Sequence, residues 1–409
     1  MTSAPIDQTT ERASVHSFIL RISLAAILFP TIFLVAEADE PSPKKGRIAA
    51  TLEPFVKDRT LAGAVTLVAN KDKVLSLEAV GFADIAAGIA MSVNSLFWIA
   101  SQSKPITAAA LMMLVDEGKV GLDDPVQKFL PEFADLWLEE KREKDRLLLK
   151  RPKQPITVRH ILSHTSGLPF SSAMERPTLD LLTLRDAVKS YAMTPLLFEP
   201  GTKYQYSNAG INTAGRIIEV VSRMPYEDFL QKRLFDPLGM KDTTFWPNAE
   251  QLKRLAKSYR PGKTGGLEEI TIGQLKYPLN DRKRQPMPAG GLFSTAHDVG
   301  IFCQMMLNGG FYKGKRFLSE EAVKQMTSKQ TGEGIKAGYG LGWSTGGGNF
   351  GHGGAMSTNM NIDTKRGLVT VFLVQHAGFP GNGGQSHGAF RKAAEELFGK
   401  SGATKGPGK

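Results

Sequence analysis

The chain has 409 residues, 41% of them hydrophobic and 22% charged, which describes an ordinary globular protein with enough apolar material for a sizeable core. The formal net charge of +11 is dispersed, and the runs Lys141–Arg146 and Lys150–Lys153 read as a solvated face or hairpin, so no nucleic-acid partner is expected. A single cysteine, Cys303, excludes an intrachain disulfide, and its place in the apolar helical run Ile301–Leu307 marks it as a small core residue.

In chain order, Arg12 and Arg21 precede an apolar run from Ile22 to Ala36, followed by the small-x-small pattern Ala36-Glu37-Ala38. Residues 1–38 therefore read as a secretory signal peptide, cleaved after Ala38, that leaves no stable membrane span. The expected destination is the bacterial envelope, periplasmic or secreted. Residues 39–48 read as a Pro/Lys/Glu linker, and Ala49–Asp58 as a first helix. The runs 63–70 and 74–81 read as strands joined at Lys71-Asp72-Lys73. Ser101 opens the next helix, with Pro105 tolerated in its first turn and Gly118 at its end.

Helical patterns and loops dominate residues 119–285, with helices expected over 181–193, 210–222 and 226–234. Pro247–Pro288 reads as one long polar loop of the kind that often lines a site. Strand patterns return at 290–295, 339–344, 360–363 and 368–375, with helices at 296–307 and 389–398. Strands thus cluster at both ends of the chain. The expected fold is α+β: an antiparallel sheet flanked by terminal helices, with an inserted, mainly helical lobe. Residues 49–400 form a single catalytic unit, with an α/β lobe at about 49–100 and 288–400, a helical lobe at about 101–287, and a disordered tail at 401–409.

Chemistry gathers at three places. Ser101 and Lys104 share a helical face, so a lysine with its pKa lowered by burial can take the serine proton. Tyr206-Ser207-Asn208 follows a Pro-Gly turn and precedes a helix, placing a phenol on a loop tip where it can exchange protons with Ser101. Gly351-His352-Gly353-Gly354-Ala355 ends a glycine-dense stretch, where bare strand N–H groups can supply half of an oxyanion hole and the Ser101 N–H the other half. His352 there would offer a polar or cationic group over the substrate.

Other patterns carry less. Gly342-Trp343-Ser344-Thr345-Gly346 matches a nucleophile elbow, but Gly347-Gly348-Asn349 cannot start the helix that such an elbow needs. Ser163-His164-Thr165-Ser166 reads as a turn, and His376-Ala377-Gly378 follows a strand end rather than the glycine run. The remaining histidines show no metal-ligand spacing, and no cofactor motif is present.

Ser101-x-x-Lys104, Tyr206-x-Asn208 and His352-x-Gly354, in this order, resemble the serine β-lactamase and penicillin-binding protein superfamily on its class C side. Supporting stretches are 162–168, 198–201, 237–240 and 290–295. The resemblance implies an acyl-enzyme route without metal or organic cofactor. Ser101 is then the nucleophile, and Lys104 and Tyr206 share the general-base role, with their resting protonation left open. Asn208 bonds Lys104 and the substrate amide, and the Ser101 and Ala355 N–H groups form the oxyanion hole. This chain departs from class C enzymes at the third motif, where they carry Lys-Thr-Gly. Loss of that hydroxyl at Gly353 should weaken acid-bearing substrates by about 1.5–3 kcal/mol. A neutral ester, lactone or amide is favoured. A D,D-peptidase acting on cell-wall peptide, or a weak β-lactamase, is the alternative, and an idle binding or sensor module a third. The oligomeric state is not legible from the sequence.

Overall fold

A strand covered on both faces has no polar side, so its sequence is a continuous apolar run. The computed structural model, which describes residues 47–399, places two such runs from opposite ends of the chain side by side. The main sheet contains β1 (Gly63–Ala69), β2 (Val74–Asp84), β3 (Ile89–Ala90), β4 (Ser344–Gly346), β5 (Asn349–Gly353), β6 (Asn359–Asp363) and β7 (Leu368–Leu373). Its order is β4-β5-β6-β7-β1-β2-β3, antiparallel throughout. β1 and β7 are buried along their whole length and pair with Val65 opposite Leu373. The predicted signal peptide at 1–38, the linker up to residue 46 and the tail at 401–409 lie outside the described residues.

The helices that bear on the site are α1 (Arg47–Lys57), α2 (Ser103–Asp116), α3 (Asn208–Ser222), α4 (Ala296–Leu307) and α5 (Ser386–Phe398). α1 and α5 pack together on one face of the sheet, where Leu52, Phe55 and Phe390 cover Val68 and Phe372. On the other face α4 lies so close that a Cβ on Gly300 would stand 2.8 Å from Leu67 Cδ1. Cys303 of α4 is fully buried, as expected of a core residue. α2 is buried from Ser103 to Leu114, which explains why its sequence is apolar almost all round.

Several local expectations change. Ser101 does not open the α-helix; it sits in a 3₁₀ turn, Ala100–Gln102, that feeds α2. The expected strand at 339–344 shrinks to a bridge between Tyr339 and Ser344, because its glycines give no side-chain packing to hold a ladder. The helix expected over 226–234 splits into Tyr226–Leu230 and a π-turn over Gln231–Phe235. The Lys141–Arg146 run lies on an exposed hairpin, Leu138–Arg142 paired with Leu147–Lys150.

The stretch 247–288 is not one loop. It forms a capped helix, Ala249–Lys253, and a hairpin, Ser258–Pro261 with Leu267–Ile270. The remainder is tied down by a buried ion pair, Arg284 Nε to Asp180 Oδ2 at 2.7 Å. Charged residues that looked solvated in the sequence are cross-strand partners here, as in Arg260 with Glu268.

Candidate active site

Ile99 and the backbone before it are held by pairing with the 290s, the Ile99 N–H donating to Leu292 O at 3.0 Å. The chain then turns sharply. Ala100 has φ +46, a left-handed conformation uncommon for a residue with a Cβ, and the Ser103 hydroxyl donates to Ala100 O at 2.7 Å to hold it. This strained turn presents Ser101, half-buried, at the entrance to α2.

Lys104 lies one turn on and has no exposed surface. Its Nζ makes three hydrogen bonds: to Asn208 Oδ1 at 2.7 Å, to Ala289 O at 2.7 Å and to Ser101 Oγ at 3.1 Å. Burial holds its pKa well below the ordinary lysine value. A neutral amine has two N–H bonds and one lone pair. The two short contacts go to oxygens that can only accept, so in the neutral form both N–H bonds would be committed there and the lone pair would face the Ser101 hydroxyl.

Tyr206 sits just before α3, whose first turn is capped by Ser207 Oγ accepting from the Gly210 N–H at 3.1 Å. Burial, the dominant effect, raises the pKa of the Tyr206 phenol, and the nearby Ser101 hydroxyl lowers it less. Lys104 Nζ lies 4.6 Å from the Tyr206 ring centroid. Asn208, the first residue of α3, is buried and turns its amide oxygen to Lys104.

The third motif lies on β5 and the turn after it. Gly354 has no room for a side chain: a Cβ would stand 2.6 Å from Ile99 O and 2.2 Å from Thr358 Oγ1. This close approach brings the exposed Ala355 beside the Ser101 turn, and the Ala355 N–H donates to no group among the described residues. Gly353 is exposed and roomy, its nearest neighbour 3.6 Å from a built Cβ.

His352 departs from the expected polar or cationic contact. Its Nδ1 lies 2.7 Å from Gly353 O, which only accepts, so Nδ1 carries the proton. Nε2 then accepts from the Tyr339 hydroxyl at 3.0 Å. Burial first, and the charge of Lys104 second, lower its pKa to about 3. His352 is a neutral, fully committed side chain, not a cationic anchor.

The structure thus brings Ser101, Lys104, Tyr206, Asn208, Gly354 and Ala355 into one neighbourhood, with His164 of the 163–166 turn packed against Tyr206, and leaves Ser344 and His376 outside it. Ser344 lies exposed on an edge strand with no helix after it. His376 is buried at the end of the sheet, its Nε2 accepting from the Ala62 N–H. Sequence reasoning missed Ala289, because a backbone carbonyl leaves no trace in residue type. It also missed Tyr339, which stands 13 residues before the histidine it binds. No group of His, Cys, Asp and Glu able to hold a metal ion is found among the described residues.

Comparison with known proteins bears on the family and the fold. Residues 48–393 match the Beta-lactamase family. An uncharacterized protein of Mycobacterium tuberculosis (strain CDC 1551 / Oshkosh) is 32% identical over 356 residues, 77% of this chain and 86% of its own. A Salmonella agona (strain SL483) protein, provisionally named D-alanyl-D-alanine carboxypeptidase, is 27% identical over 369 residues, 79% of this chain and 81% of its own. Among solved structures, EstCE1, described as a hydrolase with promiscuous acyltransferase activity, matches with a TM-score of 0.72 at 24% identity, covering 85% of this chain and 97% of that one. At that identity the likeness speaks for the fold.

Proposed function

This chain belongs to the β-lactamase family, and from that membership we propose that it is an exported serine hydrolase that cleaves small neutral esters through an acyl-enzyme on Ser101. One observation supports the reading: Lys104 is buried, with Nζ 2.7 Å from Asn208 Oδ1 and from Ala289 O and 3.1 Å from Ser101 Oγ, so that in its neutral form the lone pair would be directed at the Ser101 hydroxyl. That is a base aimed at a nucleophile.

In the proposed route, Lys104 takes the proton as Ser101 Oγ bonds to the carbonyl carbon. The oxyanion that develops accepts from the Ser101 and Ala355 N–H groups. The proton then passes by way of the Tyr206 phenol to the leaving alkoxide, and the carbon–oxygen bond breaks. The raised pKa of Tyr206 suits it to hold its proton until that moment. Water attacks the acyl-enzyme carbonyl from the same site and gives a proton to Lys104, which returns it to Ser101 Oγ as the acyl carbon–oxygen bond breaks, releasing the acid and restoring the serine hydroxyl.

The ester preference rests on the third motif. With His352 neutral and Gly353 lacking a hydroxyl, neither side chain there offers a carboxylate a charge-assisted hydrogen bond. The Salmonella relative's name supports a second reading, a D,D-peptidase acting on cell-wall peptide. The two readings separate in one experiment. Purified residues 39–409 should hydrolyse short-chain p-nitrophenyl esters, and Ser101→Ala should abolish this; a variant with the wild-type rate would overturn the proposal. Stable labelling of Ser101 by a fluorescent penicillin, with D-alanine release from a D-Ala-D-Ala peptide and no esterase turnover, would favour the peptidase. Export predicts an envelope-fraction protein whose N-terminus is Asp39.

A further inference from the structure

His164 is fully buried, lies near the site, and has no part in the route above. Its backbone stands at φ +59, in the left-handed region that residues with a Cβ adopt rarely and histidine and asparagine more readily than most. That conformation points two acceptors of one residue at the Tyr206 loop. The His164 carbonyl accepts from the Gln205 N–H at 2.9 Å. Its Nδ1 accepts from the Ser207 N–H at 3.2 Å. The residues immediately before and after Tyr206 are therefore both held by His164, and the two rings lie 4.5 Å apart at their centroids.

The arrangement has a cost. A backbone N–H donates to Nδ1, so the neutral ring carries its proton on Nε2. That nitrogen is buried without a partner, in a cage formed with Tyr206 and with Tyr339, whose ring centroid lies 4.6 Å away. An unpaired buried donor and a left-handed backbone are both unfavourable, and they persist together only where the surroundings impose them.

We propose that His164 is a positioning residue that sets the Tyr206 phenol on Ser101 by clamping the backbone on both sides of it. The inference rests on the proposed role of Tyr206 in proton transfer. It does not require His164 to touch substrate.

Asparagine places an acceptor where Nδ1 stands and tolerates the left-handed backbone, whereas glutamine is closer to histidine in volume but carries its polar atoms one bond too far. His164→Asn should keep kcat for a p-nitrophenyl ester within about threefold, while His164→Gln and His164→Leu lose about tenfold or more, a part of what proton transfer contributes. KM should change little. If His164→Leu fails to fold, the Asn–Gln pair still decides, because a role in filling volume would favour glutamine. In a Tyr206→Phe background His164→Gln should cost nothing further, since the group it positions is gone. Glutamine performing as well as asparagine, or losses that multiply in the double variant, would overturn the inference. A Tyr206→Phe enzyme with unchanged kcat would instead overturn the role of Tyr206, and the inference with it.

Discussion

Lys104 Nζ lies 2.7 Å from the carbonyl oxygen of Ala289, a contact that spans 185 residues of chain. Ala289 is held in turn by its own N–H, which donates to Asn212 Oδ1 at 3.0 Å. Asn212 follows Asn208 by one turn of α3, so one helix face fixes both acceptors of the lysine. The acceptors by themselves favour the ammonium; burial opposes them and lowers the lysine pKa, which favours the neutral amine that a base requires.

The first prediction follows from that state. Only neutral Lys104 can accept the serine proton, so acidification lowers the rate. Plotted as kcat/KM for a neutral ester, activity should rise with pH to a plateau whose midpoint lies well below the ordinary lysine value of about 10.4. Burial raises the Tyr206 pKa, so no alkaline break should occur near the usual tyrosine value of about 10. Lys104→Arg, which cannot deprotonate, should lose roughly 10²–10⁴ in kcat. A pH-rate profile with its midpoint in the ordinary lysine range would contradict the buried-base reading.

Gly354 sets the second. Its missing Cβ allows the Ala355 turn to approach Ile99 O, a backbone atom that cannot swing aside. Gly354→Ala should push that turn away from Ser101. Loss of one oxyanion donor costs about 10²–10³ in kcat. Single-turnover acylation of Ser101 should slow by a similar factor, with thermal stability lowered modestly.

The residues that converge on the site were legible because their chemistry is carried by side-chain type at short, fixed spacings. Ser101 and Lys104 are one helical turn apart, and Tyr206 and Asn208 straddle a capping serine. The runs 63–70 and 368–375 were legible as strands from their apolar content, and the structure pairs them as β1 and β7. What stayed hidden depends on contacts distant in sequence. The charge of His352 is decided by Tyr339 and a neighbouring carbonyl, and the acceptors of Lys104 include a carbonyl that any residue could supply. The hairpin within 247–288 was hidden because its alternating charges form cross-strand pairs, a pattern that also describes a solvated loop.

Gly353 gives the third prediction. It is exposed, and a built Cβ meets nothing closer than 3.6 Å, so the space for a hydroxyl-bearing side chain is present. Gly353→Ser should fold normally and leave turnover of neutral esters within about twofold, while acylation by a carboxylate-bearing penicillin rises about tenfold, the scale of one hydrogen bond to a charged group. Equal changes for both substrates would show that the third motif does not discriminate on charge.

The last prediction concerns stability. His376 is buried, and its Nε2 accepts from the Ala62 N–H at 3.1 Å, so a proton added there would face a donor. Burial lowers its pKa to about 4. In the unfolded chain a histidine titrates near 6.5, so between those values the unfolded state binds more protons and stability falls as pH falls. At neutral pH the effect is nearly absent, and at pH 5 it amounts to about 2 kcal/mol. His376→Gln retains an acceptor for the Ala62 N–H but does not titrate. Urea unfolding at pH 7 and pH 5 should show wild type losing about 2 kcal/mol more than this variant across the interval. The acid sensitivity that remains is then shared by other buried neutral histidines, His352 among them, whose pKa is held at about 3. Parallel losses in the two proteins would mean that His376 is protonated in the folded state at pH 5, and that the contact with Ala62 opens to admit the proton.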